Sequence, residues 1–290
     1  MTLKTINNSL VISIIIISIF VSAFSFFSNN MVYENKIVKT LNGDDIVLYG
    51  KGLYYNDSIS LASQARAQDL VTLIVGIPLL IISLLLTIKN SLRGKLLLTG
   101  TIGYFLYTYT SYSFLAFYNK FFLLYVLLMS LSFFCFIINF TSPELKNLEK
   151  NINQKFPRTF IGTFLIIIGV FLLLLWLGRI VPSINHVPAE LEHYTTMVIQ
   201  ALDLGFIVPL GILSGILLFK KKILGYLLAS VIIVKGTTLL LALVMMIIFM
   251  ILSGVKVNII EIIVFPIFSI LCIVSLFIIL KNIERNSFIC

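Results

Sequence analysis

Apolar residues run along this chain in long blocks without a period of two, parted by short polar segments that carry Lys and Arg. Such blocks stand at about 9–27, 70–88, 96–117, 121–140, 160–178, 195–219, 223–252 and 258–280. At a rise of about 1.5 Å per residue, each can cover the roughly 30 Å hydrocarbon core of a bilayer. The predicted fold class is therefore all-α, a polytopic membrane bundle of eight transmembrane helices forming one transmembrane domain over 1–290.

The polar segments between the blocks differ in charge. One set holds Lys4, Lys89, Arg93, Lys95, Lys146, Lys150, Lys155, Arg158, Lys220, Lys221, Lys222, Lys281 and Arg285. The other holds Lys36, Lys39, Lys51, Arg66, Lys120, Arg179 and Lys256. Basic residues stay on the cytoplasmic side of a membrane, so both termini are expected in the cytoplasm of a cell-membrane protein. Lys4, the Ile-rich run and Val21-Ser22-Ala23 also resemble a signal peptide, but the apolar run is long for one and an uncut anchor is expected. Residues 28–68 form the sizeable extracytoplasmic loop. Within it, Lys36 to Leu41, Asn42-Gly43 and Ile46 to Tyr49 read as a β-hairpin around a tight turn. The 141–158 segment reads as a cytoplasmic loop with a short amphipathic helix.

A shift of 131 residues aligns Pro78 with Pro209, Ser83 with Ser214, Lys89 with Lys220, Gly94 with Gly225 and Leu96-Leu97 with Leu227-Leu228. Both segments cross the membrane in the same sense, which suggests a 4+4 parallel internal repeat. Convergence of two cytoplasmic turns on lysine and glycine is the competing account.

Composition sharpens the class. The chain is 59% hydrophobic and 11% charged, whereas soluble domains carry about 25% charged residues. Its net charge of +9 lies in orientation signals, so no nucleic acid is expected as a partner. Cys135 and Cys272 fall within spans, Cys290 ends the chain, and no C-x-x-C occurs. Neither a disulfide framework nor a thiolate metal site is indicated.

Two ionisable residues stand inside apolar blocks: Asp203, before the uncharged stretch Leu204–Phe219, and Lys235. A charge in hydrocarbon is costly and usually faces the bundle interior, which makes it a candidate functional site. By helix rise, Asp203 lies about 24 Å and Lys235 about 18 Å from the cytoplasmic ends of their spans, close enough in level to meet. Asp69, Arg179 and Glu261 lie nearer the outer interface, with Gln200 one turn above Asp203. Tyr104, Thr108, Ser111 and Tyr112 share one face of the third span, with Tyr107 beside them. These hydroxyls either line a cavity or serve as packing contacts.

Other chemistry finds no support. His186 and His193, with Glu190 and Glu192, lie in one loop at spacings that do not make a zinc site, and no metal or cofactor is expected. Gly50-Lys51-Gly52 lacks the remainder of a P-loop, and neither H-E-x-x-H nor G-x-S-x-G occurs. No span carries histidine, which excludes haem held between helices.

Gly52-Leu53-Tyr54, Gln68-Asp69-Leu70-Val71-Thr72-Leu73 with Gly76 and Pro78, Gln200-Ala201-Leu202-Asp203-Leu204 through Pro209, Tyr226-Leu227-Leu228-Ala229 and Val234-Lys235-Gly236 resemble an uncharacterised family of prokaryotic multi-pass integral membrane proteins. The resemblance implies membrane residence and no particular activity. Three functions are therefore open. The first is a transporter or small-ligand-binding membrane protein using an intramembrane Asp203–Lys235 pair, with a small cation or small molecule as ligand. The second is a partner or sensor subunit of another membrane protein, its ion pair purely structural. The third is a membrane-embedded enzyme with Asp69 or Glu192 as acid–base, and an enzyme is the least expected.

Overall fold

The structure is a computed structural model that describes residues 2–146, 148–188 and 191–283. Eight long helices follow one another: α1 (Leu3–Phe27), α2 (Ile59–Ile88), α3 (Leu92–Phe114), α4 (Phe122–Phe140), α5 (Arg158–Ile180), α6 (Val198–Phe219), α7 (Ile223–Leu252) and α8 (Ile259–Lys281). All but α3 are long and apolar enough to cross a membrane, which makes this a multi-pass membrane protein. Helix α3 has comparable length, but Tyr104, Tyr107, Tyr109, Tyr112 and a series of threonines dilute its apolar character. It is correspondingly the most enclosed, with Leu98, Ile102, Tyr104 and Phe105 inaccessible to solvent.

Helix starts follow from local chemistry. Thr2, Ser58, Ser91 and Asn258 each turn a side-chain oxygen to a free N–H of the first turn of α1, α2, α3 and α8, the usual N-cap role. Helix α3 packs between α2 and α4 and crosses α7, while α6 lies between α5 and α7. Glycines let α5 and α6 approach closely: a Cβ on Gly162 would meet Phe219 and the Gly215 carbonyl, and one on Gly215 would meet Gly162 and Ile166. Small residues at such crossings allow the dense packing that holds helices together in lipid. One apolar core lies among α1–α4, around Ile14, Leu80, Ile102 and Leu128; the other lies among α5–α8, around Leu165, Val231, Ile247 and Phe265. Ile74, Phe134, Leu174, Ile263 and Phe277 remain exposed, as expected of side chains that face lipid.

Two helices carry the same irregularity. Thr72–Gly76 in α2 and Asp203–Ile207 in α6 are π-helical turns, and each is followed by a proline, Pro78 or Pro209. Both helices also end alike, in a left-handed residue, Asn90 (φ 57°) or Lys221 (φ 55°). The next N–H, of Ser91 or Lys222, returns to the carbonyl of Leu86 or Leu217, over 3.0 Å in each case. These are Schellman-type endings. Gly94 and Gly225 then let the following helix pass close to Leu86 and Leu217 respectively.

The region before α2 differs from the sequence expectation. The helix begins at Ile59, so residues 59–68 of the expected loop are helical. Small buried side chains, Ala62, Ser63, Ala65 and Ala67, pack these first turns of helix without a long apolar run. The hairpin consists of β1 (Ile37–Lys39) and β2 (Asp45–Val47), antiparallel, with Val38 opposite Ile46. Its connection is Thr40–Asp44 rather than the two-residue Asn42-Gly43 turn, because the Thr40 hydroxyl caps the N–H groups of Asn42 and Asp44. Between α4 and α5, the chain makes a helical turn at Pro143–Lys146 and a 3-10 turn at Leu148–Asn151.

Candidate functional site

Asp203 opens the π-turn of α6 and points into the bundle, 7% exposed. Two donors hold its carboxyl: Tyr107 of α3 through its hydroxyl to Oδ1 (2.7 Å), and Trp176 of α5 through Nε1 to Oδ2 (2.9 Å). Lys235, 8% exposed on α7, sends its ammonium over the face of the Tyr107 ring, with Nζ 3.9 Å from the centre. An ammonium is attracted to such a face by the ring quadrupole. Nζ has no hydrogen-bond acceptor. Asp203 and Lys235 therefore share one neighbourhood without a direct ion pair, and Tyr107 touches both. A Cβ on Gly103 of α3 would come within 3.9 Å of the Lys235 Cβ, so this face of α3 lies beside the lysine stem.

The remaining predicted residues sort into three places. Asp69 is 1% exposed on α2; it accepts from Tyr54 OH at Oδ2 (2.6 Å), and its Oδ1 lies 3.3 Å from Tyr112 OH. The residue immediately before it, Gln68, gives both hydrogens of Nε2, to Tyr104 OH (2.7 Å) and Thr108 Oγ1 (2.9 Å). Thr72 Oγ1 and Tyr104 OH lie 2.8 Å apart. This tyrosine-rich group sits among α1–α4, apart from Asp203. Ser111 turns back to the carbonyl of Tyr107 in its own helix and joins neither group. Arg179 and Glu261 form an ion pair joining the ends of α5 and α8, with the guanidinium also over the Trp176 ring. Gln200 lines a shallow cavity of about 410 Å³ with Ile180, Leu191, Thr195, Met197 and Leu204, whose lining does not include Asp203 or Lys235.

Above Asp69, near the hairpin end, lies a junction that sequence reasoning missed. Asp57, 1% exposed, accepts from the N–H of Phe117 (2.8 Å) and from Tyr194 OH (3.1 Å), while Tyr194 OH accepts from Ser58 N–H (3.1 Å). His193 meets the Asn56 carbonyl through Nε2 (3.1 Å). Burial, helped by nearby Glu192, pushes the Asp57 carboxyl up to about 7, against the opposing hydrogen bonds from Phe117 and Tyr194. Burial and the charge of Asp57 likewise raise the Tyr194 phenol. His186 is exposed, and Glu190 lies outside the described residues. Among the described residues no group of His, Cys, Asp and Glu side chains could hold a metal ion.

Trp176 and Tyr54 are the site residues that spacing did not reveal. Trp176 lies in a leucine run with nothing polar beside it until Arg179, and Tyr54 stands in a non-helical segment. A signal did exist for Trp176: the chain has a single tryptophan, and an indole N–H buried in a span needs an acceptor.

No protein-family model matches the chain, and no curated protein or solved structure shows significant similarity to it.

Proposed function

We propose that the protein is a membrane transporter or small-ligand-binding membrane protein whose site is the Asp203–Tyr107–Lys235 array. The observation that carries this reading is the Lys235 ammonium, buried with nothing to accept its hydrogens. A lysine at bilayer depth costs roughly 2.5–3.5 kcal/mol on insertion scales. A ligand bringing a carboxylate, carbonyl or similar acceptor relieves that cost. Asp203, steadied by Tyr107 and Trp176, is placed to receive the cationic or amine portion of the same ligand, or a small cation alone. Occupancy then repositions Lys235 against Tyr107 and couples to α6 at its π-turn.

The matching π-turns and helix endings of α2–α3 and α6–α7 support a duplicated four-helix unit, with α3 counted as an eighth crossing and α3 and α7 at the centre. On that reading, Thr72–Tyr104 and Asp203–Lys235 occupy equivalent places, a neutral pair in one half and a charged couple in the other. The distribution of Lys and Arg supports a cell-membrane orientation with both termini in the cytoplasm and the hairpin outside.

The test is reconstitution in liposomes, with currents recorded on a solid-supported membrane during steps of amino acids, polyamines and monovalent cations. Asp203→Asn and Lys235→Met are each expected to abolish the response while folding is kept, and the double variant to remain silent. Loss of folding in each single variant with rescue in the double would instead assign the array to a non-transporting partner or sensor subunit.

A further inference from the structure

At the end of the bundle where α6 gives way to α7, a small cavity of about 190 Å³ is lined by Ile152, Asn153, Gln154, Arg158 and Tyr226. Its walls come from the segment before α5, the first residue of α5 and the first turn of α7. That segment is fixed to the end of α8: the Asn153 N–H donates to the Asn282 carbonyl (2.9 Å), and Ile152 pairs with Ile283 in an antiparallel bridge. Arg93 of α3 secures the same place, giving Nε and Nη2 to the Ile283 carbonyl. Phe156 packs edge-on against the Tyr226 ring, with centres 5.2 Å apart. The walls are thus held by backbone and ring contacts to the neighbouring helices.

The chemistry of this lining suits an anion. A guanidinium presents its N–H groups in a planar fork, and that of Arg158 engages only Tyr226 OH, through Nη1 at 3.3 Å. No carboxylate among the described residues pairs with it. Tyr226 OH accepts from Arg158, so its own hydrogen is left for an incoming oxygen. Asn153 Oδ1 accepts from the Lys155 N–H (2.9 Å), which leaves the Nδ2 hydrogens to donate. Lys155 and Lys222, the latter four residues before Tyr226, are exposed and add positive charge. None of the five lining residues is acidic. An arginine fork of this kind takes two oxygens of a phosphate at once.

Position decides which phosphate. Phe160, two residues after Arg158 on α5, and Ile223 and Leu224, just before Tyr226 on α7, are exposed, like the lipid-facing side chains elsewhere. Apolar surface therefore begins within two or three residues of Arg158 and Tyr226 on both helices. The guanidinium stands at the boundary of hydrocarbon and water, the level of phospholipid phosphates, where basic pockets between helices take anionic headgroups. We propose that this cavity binds the headgroup of an anionic phospholipid. The phosphate sits on the Arg158 fork and the Tyr226 hydroxyl, the headgroup hydroxyls reach Asn153 and Gln154, and the acyl chains run along Phe160, Ile223 and Leu224. A lipid so bound bridges α5 and α7, the two helices that flank α6. The site is separate from the Asp203 array and does not depend on transport.

The experiment is native mass spectrometry of the full-length protein, stripped of lipid in mild detergent and titrated with dioleoyl phosphatidylglycerol or dioleoyl phosphatidylcholine. One phosphatidylglycerol should bind more tightly than any phosphatidylcholine. Arg158→Gln should weaken that binding about tenfold, the effect of losing a hydrogen bond between charged groups, and Tyr226→Phe should weaken it less. Lys89→Gln removes an exposed positive charge at the same end of the bundle, on α2, and should leave the binding unchanged. Arg158→Lys keeps the charge without the fork; it should fall between parent and Arg158→Gln, and it carries the test should Arg158→Gln fail to fold. Glycerol 3-phosphate, which has the phosphate but no chains, should not displace the lipid. Equal affinity for the two lipids, equal losses in Arg158→Gln and Lys89→Gln, or an Arg158→Lys variant that binds like the parent overturns the proposal. Displacement by glycerol 3-phosphate overturns it too, and would make the occupant a soluble phosphate ester.

Discussion

The Lys235 ammonium rests 3.9 Å above the centre of the Tyr107 ring. The same tyrosine gives its hydroxyl hydrogen to Asp203, so one side chain serves two opposite charges by two separable means. Tyr107→Phe keeps the ring under the lysine and removes only the donor to Asp203. A hydrogen bond to a charged group contributes about 1.5–3 kcal/mol, and the expected loss of stability lies at or below that range. Tyr107→Leu removes the ring face as well and should cost about a further 0.5–2 kcal/mol. Thermal unfolding of the two variants in one detergent tests the order. Equal losses would mean that the ring face contributes nothing to holding Lys235.

Asp57 predicts a pH dependence at the hairpin end. Its carboxyl is raised from 3.8 to about 7 in the folded protein. Between those values the folded state holds a proton that the unfolded chain has released, so stability falls as pH rises. This contribution is fully present below about pH 4, is lost across the window up to about 7 and is flat above it; its size is on the order of a few kcal/mol. Unfolding temperatures measured from pH 4 to 8 should decline in the parent and decline less steeply in Asp57→Asn. Parallel profiles for the two proteins would contradict the assignment.

Arg179 and Glu261 join α5 to α8, whose other meeting points include the ring contacts Phe164–Phe268, Phe171–Phe265 and Phe171–Phe268. The pair is partly exposed, with side-chain exposures of 29% and 14%, so solvent screening trims its worth to about 1 kcal/mol or less. Glu261→Gln should therefore lower stability slightly, and Arg179→Met with Glu261→Met should recover most of the loss. Urea titration of the parent and both variants measures this. A loss of several kcal/mol would show that the pair is shielded more than its exposure indicates.

The bundle was largely legible from apolar runs, because a run near twenty residues has few other fates. The start of α2 was not, since Ile59–Val71 alternates small and polar residues that only a buried environment rationalises. Asp203 and Lys235 were found because a charge in an apolar block is conspicuous. Their relation through Tyr107 was not legible: it depends on the rotation of α3, and Gly103 beside Lys235 says nothing of that on its own. The third span was read at 96–117, but its enclosure was not legible: the tyrosines and threonines of α3 look like surface residues until α2, α4 and α7 surround them. Arg179 and Glu261 could each be named, yet a helical run gives no angle between α5 and α8 from which to pair them.

The contact of Trp176 with Asp203 has a practical consequence. The chain contains one tryptophan, and that indole touches the carboxylate on which the functional reading turns. Whatever happens at that carboxylate, whether a proton arrives, a ligand docks or α6 shifts, changes the polarity felt by a single fluorophore. Unlabelled protein thus carries its own optical gauge, placed by the fold where a chemist would have chosen to attach a dye.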